Sequence, residues 1–295
     1  MRSHCRAGDR VLQCNKSTKI VMIETNLSTA EKIANKFSNL PQVVAVVLAG
    51  SQVSNVSDLF SDLDIYVYSN SEIYLDFREN FAKQFADQIE INNQFWETGD
   101  VLLDINSGRE IDIMYRSPAW IEEQLDNLLI KYQASVGYST CFWWNILHSK
   151  LLYSRNSWFE QLQLKANQPY PEQLKQAIVA KNYPILRNTI FSYYHQIEIA
   201  IKRKDIIAFN HRIAALMASY FDIIFAINYV PHPGEKRLIQ FASIFCKKLP
   251  LAMETSINNV FSSISHSFEN QTILHNINLL IDALDELILK EGFKN

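Results

Sequence analysis

The sequence has no excess of basic charge. Its 28 Lys and Arg stand against 31 Asp and Glu, for a formal net charge of −3. A chain built to grip a long nucleic acid carries a basic face, so this balance argues against a nucleic-acid partner. Long apolar runs are also missing. A membrane helix needs about 18 or more apolar residues, and the closest stretch, Ala214 to Val230, is broken by Asp222 and Asn228. It reads as a core helix, so no membrane partner is expected. Arg2, Arg6 and Arg10 open the chain with no apolar segment behind them, so a secretory signal is not expected. The four cysteines, Cys5, Cys14, Cys141 and Cys246, form no C-x-x-C pair. That excludes a zinc or disulfide framework and fits a reducing cytoplasm. His195 and His211 sit on helical segments without metal spacing between them. There is no low-complexity linker and no internal repeat.

What is present is a folded chain. Apolar residues make up 48% and aromatics 12% of 295 residues, enough for one large domain or two. Residues 1–20 are expected to be poorly structured, and Met22 offers an alternative start. The most informative stretch runs from Gly50 to Asp64. An apolar run, Val43 to Ala49, ends in Gly50-Ser51. A polar decapeptide, Gln52 to Ser61, leads to Asp62-Leu63-Asp64-Ile65-Tyr66-Val67-Tyr68. Both flanks read as strands. Alternation puts Asp62 and Asp64 on one strand face, with Cα atoms roughly 6.5–7 Å apart. Two carboxylates that close repel unless a positive group joins them, and no Lys or Arg occurs between Lys36 and Arg78. A hard divalent cation such as Mg²⁺ is the natural partner. Gly50 permits close backbone approach, and Ser51 adds a hydroxyl and an N–H. Consecutive N–H groups at such a turn form an anion nest for a phosphate.

This order of features resembles the nucleotidyltransferases of the DNA polymerase β-like superfamily. The resemblance is specific over about residues 43–116 and looser beyond, where the helical remainder resembles bacterial antibiotic and small-molecule nucleotidyltransferases. It implies a third acid on a neighbouring strand, which Asp112, between Ile111 and Ile113, supplies. It implies one or two Mg²⁺ ions on Asp62, Asp64 and Asp112. It also implies a nucleoside triphosphate, with ATP expected, bound at Gly50 and Ser51.

The remaining pattern gives an α+β chain, with a mixed sheet in front and helices behind. The division is expected at 21–118 for the nucleotidyltransferase domain and 119–295 for the helical domain. Leu27–Leu40 and Glu72–Ile89 read as helices, and Val101–Ile105 with Glu110–Tyr115 as a hairpin around Asn106–Arg109. Asp104 is a lesser acid candidate that reads equally well as a strand-face residue near the turn. Helices are then expected at Trp120–Tyr132, Thr140–Tyr153, Pro171–Lys181, Ile185–Arg203, Ile206–Tyr229, Glu235–Lys248, Met253–Ser267 and Gln271–Lys290. Lys236 and Arg237 fall in the first turn of one of them, where the macrodipole disfavours cations. A bound phosphate would relieve that conflict. Lys150 is a weaker phosphate candidate at a helix end.

The expected activity is transfer of a nucleoside monophosphate, AMP from ATP first, to a hydroxyl of a small molecule, with pyrophosphate released. Two alternatives stand beside it: AMP transfer to a protein, and a nucleotide-sensing or scaffolding protein without catalysis.

Overall fold

The computed structural model describes residues 27–50, 62–95, 97–266 and 272–293. The expected leader, Met22, Cys5, Cys14, Ser51 and the decapeptide 52–61 lie outside those residues. The chain divides into two compact units. One holds the residues up to Glu123 with Asn145–Asn167, and the other holds Gln124–Trp144 with the residues from Gln168 onward.

The first unit begins with helix α1, residues 27–38. Ala30, Ile33, Ala34 and Phe37 are buried, the stripe of a helix with one apolar face. Strand β1, Val43–Leu48, is buried along its whole length. Strand β2 follows at Leu63–Ser69, helix α2 at Leu75–Ala82, and strands β3 at Ala86–Asn93, β4 at Gly99–Asp104 and β5 at Glu110–Arg116. Helices α3, Pro118–Leu129, and α4, Cys141–His148, each fall partly in the first unit and partly in the second, and precede strand β6, Lys150–Ser154. Helix α5 spans Trp158–Ala166. The six strands lie in the order β3-β4-β5-β2-β1-β6. The β2–β5 pair is parallel, while β1–β2 and β4–β5 are antiparallel. The sheet is therefore mixed, and the hairpin read from the sequence is present.

Two expected helices are half strand. The run Phe77, Phe81, Phe85, Ile89 has helical spacing, yet α2 stops at Ala82 and Ile89 belongs to β3. Phe81 is buried in the core while Phe85 and Ile89 pack on it part-buried, and β3 gains its backbone bonds from β4. Likewise the run Thr140–Tyr153 is helical only to His148, because Lys150–Ser154 pairs antiparallel with β1. Backbone pairing along an open sheet edge outweighs side-chain periodicity there. Arg155 fastens this return: its guanidinium donates to the carbonyls of Val43 at 3.0 Å, Ser38 at 3.2 Å and Leu40 at 3.1 Å. The end of α1 is thereby satisfied.

The first unit also contains a buried ion pair. Arg78 Nε donates to Asp100 Oδ2 at 2.9 Å, and both residues are 2% exposed. Tyr115 Oη donates to the same carboxylate at 2.6 Å and Asn92 N at 2.9 Å. The charge of Asp100 is thus held by donors from three residues, Arg78 with both Nε and Nη2, Tyr115 and Asn92.

The second unit is helical. It contains α6, Glu172–Asn182, α7, Pro184–Arg187, α8, Tyr193–Arg203, α9, Ile206–Ile227, α10, Leu238–Phe245, α11, Met253–Ser262, and α12, Thr272–Lys290. The expected helix Ile185–Arg203 is split, because Ser192 caps α8 by accepting His195 N at 3.3 Å. Helix α9 is buried from Leu216 to Ile227, as a run apolar but for Ser219 and Asp222 requires. Asp222 sits in that run, 1% exposed, and accepts Ser139 N at 3.0 Å, Ser139 Oγ at 2.6 Å and Asn182 Nδ2 at 3.2 Å. No helix among the described residues is long and apolar enough to cross a membrane.

Candidate active site

The parallel pairing of β2 and β5 sets the site. Its register matches Leu63 to Ile111, Asp64 to Asp112 and Ile65 to Ile113. Adjacent strands lie about 4.8 Å apart, so the Asp64 and Asp112 side chains leave the sheet side by side. Leu63, Ile65, Ile111 and Ile113 leave on the other face and fill the core. Both aspartates are half-buried. Asp62, also half-buried, lies one residue before β2 begins.

Gly50 closes against Asp64. Ala49 N donates to the Asp64 carbonyl at 2.9 Å, which carries the end of β1 across to β2. Gly50 then turns with φ +66°, and a Cβ built on it would lie 1.7 Å from Asp64 Oδ2 and 2.7 Å from its Cγ. Only a residue without a side chain lets the backbone touch that carboxylate, and the left-handed φ independently favours glycine. Ser51 lies outside the described residues.

No group of three or more His, Cys, Asp or Glu side chains among the described residues is drawn together tightly enough to enclose a metal ion. The donors that do stand together, Asp64 and Asp112, fit a hard cation of the Mg²⁺ type. Such an ion uses one or two carboxylates and keeps the rest of its shell for water and phosphate oxygens.

The same sheet face continues beyond the acids. Tyr66 and Tyr68 follow Asp64 at alternate positions, and Arg116 pairs with Tyr68 across β5. The Arg116 guanidinium lies 3.7 Å from the Tyr66 ring centre and 5.5 Å from that of Trp120. Glu97 grips it with two bonds of 2.7 Å. Burial opposes the charge on Arg116, but Glu97 and the tyrosines hold its pKa above the ordinary guanidinium value. Burial pushes the Tyr68 hydroxyl up to about 12. Its ring meets Trp158 at 5.1 Å and Phe159 at 5.7 Å. Tyr66, Arg116 and Glu97 did not emerge from the sequence as site residues. The alternation that grouped Asp62 with Asp64 reaches Tyr66 one step further on, so the signal was there for that residue. For Glu97 it was not, since its partner is 19 positions away.

Asp104, the lesser acid, serves the hairpin. Its Oδ2 accepts Ser107 N at 3.0 Å, an Asx-type turn. Lys150 is the first residue of β6, paired with Leu48, rather than a helix-end cation. Lys236 and Arg237 lie in the helical unit, and the expectation for their helix is corrected. It starts at Leu238, not Glu235, and Arg237 is its N-cap residue at φ 58°, with no cap bond from its side chain. The stretch 231–237 stays non-helical, where Pro233 has no N–H to give and Gly234 N donates to His232 Nδ1 at 3.1 Å. Both cations therefore precede the helix, and the first-turn conflict that drew notice to them does not arise.

Comparison with known proteins matches residues 30–135 to a nucleotidyltransferase domain. Among solved structures, a nucleotidyltransferase-like protein from Exiguobacterium sibiricum 255-15 is similar at 9% identity, covering 90% of this chain and 75% of that one, with a TM-score of 0.40. A Thermotoga maritima CCA-adding enzyme complexed with tRNA is similar at 15% identity, covering 91% of this chain and 67% of that one, with a TM-score of 0.32. A STING-associated c-di-GMP synthase from Capnocytophaga granulosa is similar at 13% identity over 91% of this chain and 81% of that one, with a TM-score of 0.29. No curated protein matches. Residues 30–135, which hold the glycine turn, the aspartate pair and the strands that align it, are thus the part of the chain that matches a nucleotidyltransferase domain.

Proposed function

We propose that the chain transfers a nucleoside monophosphate, AMP from ATP first, to a hydroxyl of a small molecule. The observation that supports this is the in-register Asp64–Asp112 pair, with Asp64 packed against Gly50. Asp64 and Asp112, with Asp62 beside them, would hold Mg²⁺. When bound, the ion supplies neutralisation of phosphate charge and orientation of the triphosphate. The turn at Gly50 and Ser51 receives the distal phosphates through backbone N–H groups. The acceptor oxygen attacks the α-phosphorus in line, its P–O bond forms as the bond to the β-phosphate oxygen breaks, and pyrophosphate leaves. Asp112 either completes the metal site or accepts the hydroxyl proton. Lys236 and Arg237 remain candidates for phosphate charge, and the residues 119–295 for acceptor recognition. The net charge of −3 supports a small acceptor over a nucleic acid.

The test uses ATP labelled at the α-phosphate, Mg²⁺, and the purified chain with hydroxylated small molecules or cell lysate. Label on a small molecule, lost in Asp64→Ala, supports the reading. Label on a protein band transfers it to protein modification. Full labelling by Asp64→Ala removes the proposed site.

A further inference from the structure

One residue on the acid-bearing face has a hydrogen-bonding capacity that the other described residues leave unused. Tyr66 lies two positions after Asp64 in β2, next to Met114 of β5. Its Cα is about 6.6 Å from that of Asp64. The side chain is 8% exposed. Its ring is pinned by the Arg116 guanidinium at 3.7 Å, which Glu97 holds at 2.7 Å through two oxygens. A stacked cation of this kind fixes the plane of the ring.

The hydroxyl is aimed as firmly as the ring. Asn145 Nδ2 donates to it at 3.3 Å. Asn145 is itself tethered, since Ser149 Oγ donates to its carbonyl at 2.7 Å and to its Oδ1 at 3.3 Å. A phenol has one proton to give as well as lone pairs to offer. The Asn145 contact uses a lone pair. Among the described residues no acceptor takes the proton. A buried donor left without an acceptor is costly, and an anionic oxygen is the strongest acceptor it can find.

We propose that Tyr66 is a nucleotide-binding residue: its hydroxyl donates to a phosphate oxygen of the triphosphate held beside Asp64 and Asp112. This rests on the nucleotidyltransferase reading above. Tyr66→Phe keeps the ring, its stacking on Arg116 and its burial, and loses the hydroxyl with its long 3.3 Å bond from Asn145. The variant is expected to melt with the wild-type protein and to bind Mg-ATP roughly tenfold more weakly in calorimetry, the effect of one hydrogen bond to a charged oxygen. Adenosine, which carries no phosphate, should bind both proteins alike. Mg-ATP affinity in Tyr66→Phe equal to wild type overturns the proposal. So does an equal loss for adenosine, which would make the effect one of shape. Failure of the wild-type protein to bind Mg-ATP at all is a different result: it removes the reading beneath the proposal, and the proposal with it.

Discussion

Replacing Gly50 by alanine tests the site at its tightest contact. Two costs are separable. Alanine at φ +66° sits in the left-handed region, worth about 1–2 kcal/mol. For a chain of this size that lowers the melting midpoint by roughly 2–8 °C. The second cost falls on the site. The new methyl would stand 1.7 Å from Asp64 Oδ2, where ordinary contact begins at 3.4 Å. Asp64 must retreat by that difference or turn away from Asp112. A displacement of about 1 Å in a reacting group already costs on the order of 100-fold in rate. Gly50→Ala should therefore lose at least about 100-fold of Mg²⁺-dependent pyrophosphate release while remaining folded by circular dichroism. A variant that melts as calculated but turns over ATP at the wild-type rate would show that Asp64 is not held by this turn, and the geometric argument would fail.

Other outcomes follow from the buried charges. Asp100→Ala leaves the Arg78 guanidinium buried without its carboxylate and should destabilise the protein by about 3–5 kcal/mol in a urea titration; a loss under about 1 kcal/mol would mean the pair behaves like a surface contact. Asp222 has its carboxyl pushed up to about 7 by burial. The folded state then holds a proton that the unfolded chain has released above its ordinary value of 3.8. Its contribution is therefore complete below that value and is lost as pH rises toward 7, up to about 4 kcal/mol across the interval. Asp222→Asn should flatten this decline, melting higher than wild type at pH 8 and level with it at pH 4. Parallel melting curves at both pH values would contradict the assignment.

Much of the first unit was legible because its signals are local. A glycine after a buried strand, an Asp-x-Asp strand and a hairpin around Gly108 each declare themselves within a few residues. Asp112 was reached through the resemblance, and its register with Asp64 is something no single segment contains. The misread elements share one cause. Phe85, Ile89 and Lys150–Tyr153 follow helices closely and continue their apolar pattern, while their strand state comes from backbone bonds to β4 and β1. Side-chain spacing carries no record of which edge a segment will find. The loop before α10 was misjudged for the opposite reason. Its charges were read as the first turn of a helix that follows Gly234 directly, whereas the helix begins at Leu238.

The last strand of the sheet bears on how the protein can be dissected. Strand β6 comes from residues 150–154, after the stretch that matches the nucleotidyltransferase domain has ended at 135. A fragment truncated at that border would leave β1, the most deeply buried strand, with Val46 and Val47 lacking the neighbours Tyr153 and Leu151. Bare strand edges recruit other chains. Such a fragment would self-associate or misfold, and the smallest independently expressible catalytic piece must extend through Arg155 and α5.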